Sequence, residues 1–254
     1  MKIIKFLLLS LVLLSYSVYS FGGNKKRDEQ IILNTDTSLI DVPTASVLDR
    51  DNFSIKTRFY NSGGVLTYLG VGILDQLTLS SSFMVDNLIG SQDNVKMVKP
   101  ELQIKFRFYD GGYYIPALAI GYDGQGYYYD RNMEEYMQKG KGLYIVGTKE
   151  VFLPNFLMHA GFNIPDYDDG YLYSFVGFNY NLEDKLNLML EFDNMFHSDY
   201  KSRLNFGIRF NITPNFNFDL AFRNIGRSSK FVNGQPEKME RIVQFNTFFY
   251  LGDF

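Results

Sequence analysis

The chain has 254 residues with no Cys and no Trp, yet 24 Phe and 19 Tyr bring its aromatic content to 17%. Zero Cys excludes a disulfide scaffold, a Cys-based metal site and a lipid-modified N-terminal cysteine. A formal net charge of −3 gives no reason to expect a nucleic-acid partner, and 46% hydrophobic residues at a mean hydropathy of −0.14 argue against a bundle of transmembrane helices.

Met1 to Ser20 reads as a cleavable secretory signal peptide. Lys2 and Lys5 form its positive end, and Phe6 to Leu14 its apolar core. That core is too short to span a bilayer, which takes about 20 residues. Val18 and Ser20 suit the small-residue cleavage rule and place the mature start near Phe21, leaving 23 basic against 28 acidic residues, a net charge of −5. Gly22 to Gln30 is polar. In Ile31 to Asp49, Pro43 and the surrounding Asp, Thr and Ser residues argue against a long regular element. Residues 21–51 are therefore expected to form a periplasmic leader that tucks into or under the domain formed by 52–254.

From Asn52 onward the chain falls into strand-sized pieces, and no apolar period of 3.6 residues persists. The clearest strands alternate with period 2. Asn52–Tyr60 sets Phe53, Ile55 and Phe59 against Lys56 and Arg58. Pro100–Tyr109 sets Leu102, Ile104, Phe106 and Phe108 against Gln103, Lys105, Arg107 and Tyr109. Lys185–Asp193 opposes leucines and Phe192 to Asn187, Met189, Glu191 and Asp193. Arg203–Asn211 carries Arg203, Asn205, Gly207 and Arg209 on its polar side, and Asn215–Arg223 carries Asn217, Asp219, Ala221 and Arg223. Each has about the 9–11 residues of a tilted membrane strand. Less regular strands are expected at Val65–Ile73, Leu77–Asp86, Tyr113–Tyr122, Gly142–Phe152, Phe156–Ile164, Tyr171–Tyr180 and Arg241–Gly252. The total is twelve, even as in single-chain bacterial barrels.

Connection lengths test this reading independently of hydrophobicity. Alternate connections are tight (Leu74–Gln76, Asp110–Gly112, Leu153–Asn155, Asn181–Asp184, Ile212–Pro214). The others, except Asn61–Gly64, are longer: Asn87–Lys99, Asp123–Lys141, Pro165–Gly170, Asn194–Ser202 and Asn224–Glu240. Short turns on one side and long loops on the other is the outer-membrane arrangement. The expected fold is an all-β, antiparallel, up-and-down transmembrane barrel lodged in the outer-membrane bilayer, with both barrel ends in the periplasm.

The closing stretch Arg241–Phe254, RIVQFNTFFYLGDF, is aromatic and uncharged from Ile242 to Leu251. An unpaired apolar edge invites aggregation, and closure onto the first strand removes it. The ending resembles that of bacterial outer-membrane barrels, whose last strand commonly ends in the Phe read by the barrel assembly machinery. Phe254 shares parity with Phe248 and Tyr250, opposite Val243, Phe245, Phe249 and Leu251. These three aromatics form the expected assembly signal, and a bulge at Gly252 would return Phe254 to the outward face.

Four blocks, LIDVPTASVLDRDNFSIKTRFYNSGG (Leu39–Gly64), IPALAIGYDGQGYYY (Ile115–Tyr129), KGLYIVGTKE (Lys141–Glu150) and HAGFN (His159–Asn163), together resemble a set of bacterial outer-membrane barrels that includes YjbH-like proteins linked to exopolysaccharide production. IDVPTA and PALAIGYDGQG are the most specific pieces. The resemblance implies location and fold and a tie to surface polysaccharide; it brings no catalytic residues.

Chemistry on the residues themselves is sparse. His159 lies in an expected strand and His197 in a loop, within His197-Ser198-Asp199. A serine–histidine hydrolase needs a geometric constellation that adjacency does not supply, so no catalytic residue is assigned. Asp166, Asp168 and Asp169 offer oxygen ligands but no EF-hand pattern, so no metal or other cofactor is expected. Gly124 and Gly126 suit a tight strand exit, because no helix follows to hold a phosphate. The lumen-facing charges say more. Seven basic residues (Lys56, Arg58, Lys105, Arg107, Arg203, Arg209, Arg223) stand against Glu191, Asp193 and Asp219. Either they pair and fill a narrow lumen, or they line a weakly basic passage for an anionic sugar or polysaccharide. A structural or adhesive barrel displaying its long loops, and a lipase-like hydrolase, are the alternatives to a porin-like or export-associated role.

Overall fold

The computed structural model describes residues 36–90, 95–167, 170–195, 202–225, 231–232, 235–236 and 239–249. Within these, twelve antiparallel strands close a barrel: β1 (Phe53–Tyr60), β2 (Gly64–Leu74), β3 (Leu77–Asp86), β4 (Glu101–Tyr109), β5 (Ala117–Asp123), β6 (Gly142–Glu150), β7 (Phe156–Ile164), β8 (Tyr173–Leu182), β9 (Leu186–Met195), β10 (Arg203–Thr213), β11 (Phe216–Arg223) and β12 (Glu240–Phe249). Every strand pairs with its chain neighbours. Closure comes from β1, which meets Val71 of β2 and Phe249 of β12 at its Phe53. The unpaired edge of the closing strand is thereby removed. The expected assembly residues Tyr250 and Phe254, and the proposed bulge at Gly252, lie outside the described residues, as does the signal peptide. Phe248 pairs with Ser54 on the inward parity, while Val243, Phe245 and Phe249 take the outward one.

The period of 2 becomes two walls. On β4, Leu102, Ile104, Phe106 and Phe108 stand outside, and Leu102 keeps 69% of its surface exposed, whereas Lys105 and Arg107 are buried inside. An apolar outside with every backbone group paired along the ladders is what hydrocarbon surroundings demand. Exposed aromatics mark both rims, with Tyr113, Tyr114 and Phe152 at the short-turn end and Tyr122, Tyr167 and Tyr171 at the other.

Two local departures have plain causes. The strand expected from Tyr113 begins at Ala117, because Pro116 has no N–H for the ladder and a turn closed by Gly112 N to Ile115 O (2.9 Å) fills the interval. The long loop after β5 is not irregular throughout. It carries a hairpin of Tyr127–Asp130 with Glu135–Gln138. At Gly126 a Cβ would lie 2.4 Å from Gln138 O, so the YDGQG glycine serves this close crossing.

The described part of the leader lies inside the barrel. From Asp36 to Leu48 it enters at the short-turn end and fills the lumen as a narrow turn-back, with an isolated bridge between Ser38 and Pro43 and a turn from Leu39 N to Val42 O (2.9 Å). Val42, Ala45 and Ser46 have no exposed surface. Leu39 and Ile40 pack with inward Leu66, Met84, Met189 and Ile242, and Val42 and Ala45 with Val146 and Phe175. The lumen wall is therefore not uniformly polar. Gly177 and Gly207 make the room: a Cβ there would come within 2.8 Å of Leu39 Cδ1 and 3.0 Å of Ile40 Cδ1.

Candidate functional site

The plug is tied to the wall by the lumen charges. Glu191 on β9 accepts the N–H groups of Ile40 (2.7 Å), Asp41 (2.9 Å) and Val42 (2.8 Å), and its other oxygen takes Asn205 Nδ2 (2.8 Å). Three successive N–H groups converging on one anion form a nest. Lys105 on β4 donates to the carbonyls of Thr37, Thr44 (3.0 Å) and Ser46 (3.2 Å). Lys56 donates to Ser38 Oγ at 2.6 Å. Thr148 and Thr78 accept the N–H groups of Ala45 and Leu48, each at 2.8 Å.

The tip of the plug is Asp41. Its carboxylate sits between two wall guanidiniums, 2.8 Å from Arg58 Nη1 and 2.6 Å from Arg223 Nε. Arg58 also donates to Ile40 O (2.5 Å) and Gln244 Oε1 (2.8 Å). Arg223 is held by Glu240 (2.8 Å) and Gln138 (3.1 Å) and lies 4.0 Å from the Tyr127 ring centroid, within cation–π range. The Tyr127 hydroxyl accepts from Arg58, so the outer hairpin meets the plug tip from the long-loop side.

The remaining expected lumen residues divide by height. Near the short-turn end Arg209 grips Asp219 with two 2.8 Å bonds and also pairs with Asp36 of the leader, while Arg107 pairs with Asp110 at 2.7 Å. Toward the long-loop end Asp193 pairs with Lys141, and Arg203 is buried beside it on the lumen wall. Sequence parity named the wall charges but not all of their partners: Asp36 and Asp41 come from the leader, which has no period to read. Tyr127 and Gln138 come from the hairpin inside a long loop, and these residues and Asp41 were missed for those two reasons. The one available signal was the unexplained glycine on the polar face of β10, Gly207.

A cavity of about 420 Å³ runs beside the plug, from Ser54 and Thr78 in the short-turn half of the wall to Pro165 and Asn194 toward the long loops. Among the described residues, seven Lys or Arg and five Asp or Glu line it, together with six tyrosines, so its balance is basic and aromatic. One of the five acids, Asp41, belongs to the plug.

His159 is a wall residue. Its Nδ1 lies 2.8 Å from Thr148 Oγ1, which also accepts from Ala45 of the plug, and its Nε2 lies 2.7 Å from Asn179 Oδ1 within the wall. His197 lies outside the described residues, as do Asp168 and Asp169; Asp166 pairs with Lys139.

A closed antiparallel barrel with an apolar outer wall and a charged lumen has the fold of an outer-membrane porin-like barrel. No protein-family model matches the chain, and no characterised protein matches it in sequence. Among solved structures it is similar to the KdgM porin, alone and in complex with disordered oligogalacturonate. Each has a TM-score of 0.51 and 8% identity, over 78% of this chain and 99% of that one. A triple mutant of the Rhodopseudomonas blastica porin reaches a TM-score of 0.37 at 7% identity, over 73% of this chain and 55% of that one.

Proposed function

We propose that the chain is an outer-membrane passage for small anionic saccharides, held shut by its own leader in the arrangement described here. The observation that carries this reading is the basic, tyrosine-lined cavity beside the plug. Rings of Lys and Arg favour anions, and tyrosines offer flat apolar faces with a polar tip. The complex of the KdgM porin with oligogalacturonate supports an acidic sugar as the solute class. In this reading the signal peptide is cleaved, the barrel assembly machinery inserts the barrel, the short turns and leader face the periplasm, and the YjbH-like blocks tie the passage to exopolysaccharide export. Planar-bilayer recordings of the Glu191→Ala protein, whose plug is loosened, test the passage: anion-selective steps are expected, and silence or cation selectivity would remove it.

The filled lumen favours a second reading, a structural or adhesive barrel that displays the loops 87–99, 123–141 and 224–240. The same recordings separate the two, because that barrel stays silent however the plug is loosened.

A further inference from the structure

We infer that Arg58 and Arg223 form a carboxylate seat that the plug's Asp41 occupies at rest and that the carboxylate of an incoming acidic saccharide takes over, unlatching the plug. This rests on the passage reading and names how the passage opens. Three observations carry it. First, Asp41, Arg58, Arg223 and Tyr127 all line the cavity, whose wall toward the long loops includes Pro165 and Asp166 beyond the last pair of β7. The cavity thus borders the buried ion pair and leads from it toward the long-loop side. Second, the seat keeps braces outside the plug, although Arg58 also donates to Ile40 O. Arg223 is braced by Glu240 and Gln138, and Arg58 by Gln244, all of them barrel or hairpin residues. Two positioned guanidiniums beside a Tyr127 ring would persist once Asp41 leaves. Third, the occupant is chemically interchangeable with the ligand. An aspartate side chain and a uronate ring each present one carboxylate, and Asp41 contacts Arg223 at 2.6 Å without hydrogen-bond geometry, its Oδ2 being unpartnered in that sense. A carboxylate free to orient itself would make better use of Arg223 Nε than one tethered to the turn.

Because the two carboxylates exclude each other, the ligand binds only the undocked state and shifts the population toward it. A coupling of typical size changes the equilibrium by about tenfold.

The test uses the full mature chain, checked for assembly by heat-modifiable gel mobility, with trigalacturonate as probe and maltotriose as its neutral counterpart. Two readouts run in parallel: open probability in planar bilayers, and the rate at which a maleimide labels a single cysteine at plug position 45 (Ala45→Cys). Trigalacturonate should raise both by about tenfold and maltotriose neither. Asp41→Asn should be undocked at rest, and trigalacturonate should add little to it. Equal responses to the two sugars, no response of the unmutated seat, or slower labelling with trigalacturonate would overturn the inference. If Asp41→Asn conducts but trigalacturonate changes nothing, the seat fails and the passage stands. If labelling accelerates while every protein stays silent, the seat stands and the passage fails.

Discussion

Replacing Glu191 by Ala should free the leader from the lumen. The carboxylate is the acceptor for three consecutive buried N–H groups, of Ile40, Asp41 and Val42, at 2.7–2.9 Å. Leaving a buried donor without its acceptor costs about 1–3 kcal/mol. Three such groups at the lower end of that range, with water recovering part of the loss, give about 2–3 kcal/mol of plug docking, or roughly a 30- to 150-fold change in the docked equilibrium at about 1.4 kcal/mol per decade. The chain has no native Cys, so a cysteine placed by Ala45→Cys is a clean reporter at a position with no exposed surface. Its maleimide labelling should accelerate by that factor in the Glu191→Ala background. Glu191→Gln should fall between, because the amide keeps one accepting oxygen but turns a donor toward the nest. Labelling at the unmutated rate in Glu191→Ala would refute the nest as the plug's anchor.

Lys105→Met removes the ammonium that meets the carbonyls of Thr37, Thr44 and Ser46, and should accelerate the same labelling by about tenfold; a slower rate would contradict that role. Arg209→Ala strands Asp219 in the lumen with only Gln244 and Asn246. It should cost about 3–5 kcal/mol, read as a lower temperature for the heat-modifiable mobility shift. The double replacement Arg209→Met with Asp219→Leu should recover part of that loss, since Asp219 no longer leaves a charge buried alone, while Asp36 still loses its partner. Deleting Phe254 should lower the membrane-assembled yield without changing secretion, measured by fractionation; normal assembly would argue against the terminal aromatic as a signal.

What the residues disclosed followed the strength of their periodicity. The alternation in Glu101–Tyr109 and Arg203–Thr213 placed both walls and the lumen charges, because a side-chain period of 2 admits one register against hydrocarbon. Sorting of loop lengths ordered the hairpins. Where a residue broke the ladder, as Pro116 does, the strand start was misplaced by four residues, at Tyr113 rather than Ala117. The plug was not legible, since Asp36–Leu48 has no regular period and its bonds run to side chains more than a hundred residues away, such as Glu191 and Thr148. The two readings of the lumen charges could not be separated for the same reason: the carboxylate that binds Arg58 and Arg223 is Asp41, on the leader.

If the lumen is a passage shut by the chain's own leader, tethering that leader to the wall must keep it closed. Ala45 N and Thr148 Oγ1 are 2.8 Å apart, so paired cysteines from Ala45→Cys and Thr148→Cys should cross-link the plug to β6. Single-channel recording of that protein with Asp41→Asn, oxidised and then reduced in the same bilayer, is the most direct measurement. Silence is expected when oxidised and anion-selective steps after reduction. Conductance that is the same in both states would contradict it.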